Sequence, residues 1–79
     1  MNRQELLNVL QNAVNDVLGT DSTVLTPKTK LKSISVTSFA MVQLVCRVED
    51  ALDVEISNAE LRQFRTVDDI LNCLQKLPS

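Results

Sequence analysis

Apolar residues recur at helical spacing in three separate stretches of this chain, and no other feature narrows its possible folds more. Leu6, Leu10, Ala13, Val14 and Val17 form one stripe, Met41, Leu44, Val45, Val48 and Leu52 a second, and Ile70, Leu71, Leu74 and Leu77 a third. Steps of three and four residues place each set on one side of a helix. The punctuation agrees. One Gly and two Pro among 79 residues leave few of the tight turns that strands require. The fold class expected is all-α.

The ends of the helices are legible. The first is expected over about Arg3 to Leu18, with Asn2 and Glu5 in a capping arrangement and Gly19 as the left-handed stop. Residues 20–36 make a long connection rich in Thr, Ser and Lys. A loop longer than about 12–15 residues is uncommon in a compact domain unless it is functional or pinned. Val24, Leu25, Leu31, Ile34 and Val36 are the expected pins, with Pro27 and the basic face of Lys28, Lys30 and Lys32 left in water. The second helix is expected from Ser38 to about Leu52, after which Val54 and Ile56 return the chain to the core. Ser57 and Glu60 form a capping box for a short third helix carrying Leu61 and Phe64. Thr66 caps the fourth, where Asp68 and Asp69 meet the positive end of the helix dipole, and Pro78 stops it. The expected architecture is a four-helix bundle with a long loop between the first and second helices and a short third helix, all in one domain over residues 1–79.

Composition excludes several functions. A net charge of −2 and two aromatic residues, Phe39 and Phe64, give no general attraction to nucleic acid and no set of rings for base stacking. Histidine is absent, so a serine nucleophile has no imidazole base, and Met41 stands where a Ser-x-x-Lys arrangement from Ser38 needs its lysine. A single Gly rules out a glycine-rich phosphate loop. A domain of this size buries only roughly 60% of its unfolded surface, and so thin a core is expected to leave little room for a substrate pocket. No enzyme is expected, and no catalytic residue. Cys46 and Cys73 lack metal-ligand spacing and are expected to be small buried or half-buried thiols in a reducing, cytoplasmic setting; no metal site is expected. The N-terminal residues begin a helix and carry no long apolar run, so no secretory signal is expected, and no stretch approaches the roughly 18 apolar residues of a membrane span.

Two features of the second helix remain. Ser38 stands at its start, where a serine commonly serves as an N-cap; the same place also suits a modified hydroxyl, because an attached phosphodiester meets free amides at the positive end of the helix dipole. Phe39, Val42 and Cys46 lie on a second apolar strip apart from the core stripe, with Glu49 and Asp50 beyond it. A helix packed on one side has no need of that strip. It is either covered by the long loop or is a partner-docking face of apolar and acidic groups.

From Leu31 onward the chain resembles the acyl carrier protein family. The resemblance rests on Leu31-Lys32-Ser33-Ile34, Thr37-Ser38-Phe39, Val42-Gln43-Leu44, the run from Val48 to Ile56, and Phe64-Arg65-Thr66-Val67-Asp68-Asp69-Ile70. Their spacing agrees over about forty residues. The resemblance implies that Ser38 carries a covalent 4′-phosphopantetheine arm, and that Phe39, Val42, Cys46, Glu49 and Asp50 face partner enzymes. Those partners would be a phosphopantetheinyl transferase and acyl-transferring or condensing enzymes, with neither nucleic acid nor membrane. The cargo would be an acyl or aminoacyl thioester of a fatty-acid, polyketide or related pathway, on a free-standing cytoplasmic monomer. The chain departs from the family pattern at Thr37 in place of Asp, Ser35 in place of Gly, Ser33 in place of an acidic residue and Gln43 in place of Glu, with Phe39 replacing Leu. These changes strip acidic charge from around the serine and imply either a carrier specialised to one pathway or a poorly modified relative. The alternative is a carrier-fold interaction module that is never modified.

Overall fold

The computed structural model describes residues 2–77. Four α-helices follow in order: α1 (Arg3–Leu18), α2 (Ser38–Leu52), α3 (Asn58–Leu61) and α4 (Val67–Lys76), with one 3-10 turn at Leu31–Ile34 between α1 and α2. No strand forms among the described residues, so the all-α expectation holds, as do the long loop and the short third helix. Pro78, expected to end the last helix, lies outside the described residues.

Local chemistry sets the helix ends. Asn2 and Glu5 form the reciprocal capping box of α1, Ser57 and Glu60 that of α3, and Thr66 and Asp69 that of α4. In each, a side chain of the cap satisfies an amide left without an intrahelical partner. Gly19 closes α1 at φ 68°, a region where a side chain is costly. Asp53 closes α2 at φ 54°, which an aspartate tolerates better than most residues.

The core is one cluster. Leu10, Val14, Leu31, Leu44, Val48, Val67, Ile70 and Leu71 are essentially sealed from solvent, and all of the buried residues described are apolar. α1 packs against α2 and α4. Val17 and Leu52, expected in the stripes, are half-buried at the margin. Arg3 braces the outside of the α1–α4 contact, with an ion pair to Asp68 and hydrogen bonds to Asn72 Oδ1 (3.1 Å) and Gln75 Oε1 (2.7 Å).

The long loop is held at both ends. Near α1, Gln11 reaches across: its Oε1 accepts from the Leu25 amide at 2.7 Å and its Nε2 donates to the Thr23 carbonyl. Farther on, the loop backbone is tied to the α3–α4 junction. Leu31 N donates to Arg65 O (3.0 Å), Val67 N to Thr29 O (3.0 Å) and Asp68 N to Pro27 O (2.8 Å), and Lys30 makes an isolated bridge with Thr66. Leu25, Leu31 and Val36 drop into the core as expected, and Ile34 is half-buried. Val24 does not: it is 79% exposed. Gln11 explains the difference, because gripping the backbone at residues 23 and 25 fixes that stretch, and Leu25 takes the inward place. Phe64 also differs from expectation. Helix α3 ends at Leu61, and Phe64 is buried from the turn beyond it.

Candidate functional site

The segment that presents Ser38 is built by two buried side chains and a left-handed residue. Leu31 and Val36 are buried at either end of the 3-10 turn. Between them Ser35 adopts φ 67° and ψ 23°, and its amide closes the turn onto the carbonyls of Leu31 and Lys32. Val36 N then donates to Leu31 O (3.0 Å) and Thr37 N to Ser35 O (3.1 Å). The reversal aims the chain into α2. Ser35 is the position at which the resemblance expects Gly, and its positive φ is the physical reason a Gly fits there.

Thr37, and not Ser38, is the N-cap residue of α2. Its carbonyl accepts from Met41 N at 2.7 Å, but its hydroxyl makes no cap hydrogen bond. Among the four described α-helices, α2 alone starts without a side-chain cap. Ser38 is the first helical residue and is exposed. The Ser38 hydroxyl has no hydrogen-bond partner among the described residues, so it is neither spent on the helix nor turned into the fold. A phosphodiester at that oxygen would lie beside first-turn amides that no side chain occupies.

The second strip of α2 is open. Phe39 is 74% exposed and Val42 50%, and Cys46 is exposed too, so the loop does not cover them and Cys46 is not the buried or half-buried thiol expected. Asp50 is exposed at the far end of the strip. Glu49 is half-buried and its Oε2 accepts from Ile56 N at 2.8 Å, which ties one carboxylate oxygen to the chain after α2. The apolar part of the expected face therefore faces solvent, and its acidic part is reduced.

Contrary to the expectation of a core too thin for a pocket, a groove of about 830 Å³ opens beside Ser38. α2 contributes Thr37, Ser38, Met41 and Val42 to it, and the α3–α4 stretch contributes Leu61 and Phe64. Lys30, Lys32, Arg62 and Arg65 also line it, and no acidic residue does. In the sequence the lysines stand out as a basic face, and no motif there marks Arg62 or Arg65 as part of it. They are thirty residues and more from Lys30, and only the backbone ties between the loop and the α3–α4 junction bring them together.

Cys73 lies away from this site, on α4. It is buried, and its Sγ donates to Glu60 Oε2 at 2.9 Å. Burial first, then that carboxylate, push the thiol up to about 12. It is held as a neutral donor. Among the described residues no group of three His, Cys, Asp or Glu is placed to hold a metal ion, and no helix is long and apolar enough to cross a membrane.

A helical bundle with an unspent serine hydroxyl at the head of its second helix has the form of a carrier domain. The family described as a phosphopantetheine attachment site matches residues 8–74, and the chain belongs to it. Members of this family are carriers and not enzymes, and their prosthetic group is covalently attached 4′-phosphopantetheine. Among curated relatives, an acyl carrier protein of Thermobifida fusca is 28% identical over 74 residues, covering 92% of this chain and 94% of the relative. A meromycolate extension acyl carrier protein of Mycolicibacterium aurum is 30% identical over 76 residues, covering 95% and 78%. An acyl carrier protein of Rubrobacter xylanophilus is 29% identical over 73 residues, covering 91% and 90%.

Proposed function

We propose that this carrier is loaded at Ser38 and delivers an acyl chain, held as a thioester on the arm, to enzymes of a specialised fatty-acid, polyketide or related pathway in the cytoplasm. The observation that supports the site above all others is the Ser38 hydroxyl: exposed, without a partner among the described residues, and first in a helix that lacks a side-chain cap. The prosthetic group supplies a terminal thiol that holds the cargo. The rest of the work falls to the protein's own residues. The buried Leu31 and Val36 hold the turn before α2, so that Ser38 is offered on a rigid support. The first-turn amides of α2 complement the negative charge of the arm's phosphodiester. Phe39, Val42, Cys46 and Asp50 form the proposed docking face, with Glu49 in a lesser part. A patch of this size gives short-lived docking, which hand-over between enzymes requires, while tethering raises the effective concentration of the cargo.

The proposal is tested by incubating the protein with coenzyme A, Mg²⁺ and a broad-specificity phosphopantetheinyl transferase. Intact mass should rise by one arm, and Ser38→Ala should abolish the gain. An arm that still attaches to the Ser38→Ala variant would move the site elsewhere. No gain with several transferases would favour an unmodified interaction module.

A further inference from the structure

We infer that the groove beside Ser38 is built for a cargo chain that ends in an anion, that is, an acyl group with a carboxylate at its far end. The inference rests on the reading of Ser38 as the attachment point and adds the class of cargo.

The groove has an apolar floor that includes the buried Leu31, Val36, Met41 and Phe64, which suits a hydrocarbon chain. Its size falls within the roughly 300–1,000 Å³ typical of small-molecule sites. A plain alkyl chain needs nothing more. Yet Lys30, Lys32, Arg62 and Arg65 all line the groove, all are exposed, and none is in an ion pair among the described residues. The carboxylates nearest in sequence are engaged elsewhere: Glu60 with Ser57 and Cys73, Asp68 with Arg3, and Asp69 with the amides of Arg65 (2.9 Å) and Thr66 (3.0 Å). One phosphodiester on Ser38 brings a single negative charge to four cations. The cations come from the loop and the α3–α4 stretch and none from α2, which carries the serine. Lys30 and Arg65 are held together by the bridge of Lys30 with Thr66 and the bond of Leu31 N to Arg65 O, and Arg65 Nη1 donates to Arg62 O at 3.2 Å. These ties gather the three cations at the groove. An arginine pair favours a carboxylate, whose planar geometry matches the guanidinium fork.

The test loads Ser38 with the bare arm, with an octanoyl arm and with an octanedioyl arm of equal length. Backbone amide shifts and Tm are then compared. The octanedioyl arm should shift the amides of Arg62, Phe64 and Arg65 and raise Tm by about 3 °C or more over octanoyl. Salt near 1 M, where the screening length is about 3 Å, should erase that difference. The double variant Arg62→Gln/Arg65→Gln, at exposed positions, should lose it too, and Lys30→Gln/Lys32→Gln should weaken it. Equal responses to both chains would overturn the inference, as would equal shifts from the bare arm, which would assign the cations to the phosphodiester alone. A difference that survives all four charge removals would also overturn it. To separate this from the attachment itself, the two chains are also coupled chemically to Ser38→Cys in a Cys46→Ser background. Failure of enzymatic loading together with a carboxylate-dependent response in the coupled protein would sink the carrier reading and leave the groove's preference standing.

Discussion

At the scale of single residues, the site owes most to side chains that perform no chemistry. Ser38 is available because Thr37 takes the cap position and leaves it free, and because Ser35 bends the backbone through a left-handed conformation to reach it. For a residue with a Cβ that conformation costs roughly 1–2 kcal/mol. Part of this returns when the residue is Gly, whose own cost is a more flexible unfolded chain. Ser35→Gly should therefore stabilise the protein by about 0.5–1 kcal/mol in urea unfolding, with no change in helical circular dichroism. A loss of stability would show that the Ser35 side chain contributes something its backbone angles conceal. Ser38 itself was legible in the sequence from its place before an apolar stripe. Its freedom from hydrogen bonding was not, because a hydroxyl's partners depend on angles that a residue string does not carry.

At the scale of elements, α2 does two jobs on two faces. Met41, Leu44, Val45 and Val48 are buried against the core, while Phe39, Val42 and Cys46 are left in water. The double stripe was visible in the sequence, but periodicity alone could not say which of two apolar strips a loop would cover. The loop goes instead to the α3–α4 junction, where Thr29, Leu31, Arg65 and Val67 exchange backbone hydrogen bonds. Because Val42 is half exposed, Val42→Asp should leave the circular dichroism and Tm nearly unchanged. If this face docks partner enzymes, the same change should weaken binding to an acyl-transferring enzyme that accepts the wild-type carrier, by about tenfold. Unfolding of the variant, or undiminished binding, would remove Val42 from the docking face.

At the scale of the whole molecule, stability depends on pH through groups at the ends of α3 and α4. The Asp69 carboxyl is held below the usual aspartate range by hydrogen bonds from the Arg65 and Thr66 amides, and Glu60 is lowered by its hydrogen bonds with Cys73 and Ser57. A carboxylate with a depressed folded-state value contributes stability above the ordinary value of about 4 and loses it as pH falls through the folded value. Cys73 runs the other way. Its raised value contributes stability below the ordinary thiol value and loses it as pH rises from there toward about 12. A plot of Tm against pH should thus fall below about pH 4 and again above about pH 9. Asp69→Asn should flatten the acid limb and Cys73→Ser the alkaline one. An unchanged acid limb in Asp69→Asn would show that other carboxylates govern acid unfolding.

The features that could be read from the residues alone are local ones. The helix spans, the capping boxes at Asn2, Ser57 and Thr66 and the left-handed stop at Gly19 all follow from residues close to one another along the chain. Each rests on a hydrogen bond or a periodicity that short segments carry complete. The tertiary structure decided what joins distant segments. It turned Val24 outward because Gln11 grips the loop on either side of it, drew Glu49 back onto Ile56, and set Arg62 and Arg65 beside Lys30 and the groove at Ser38. Those outcomes depend on how the loop closes over the bundle, and closure is fixed by the packing of the whole core.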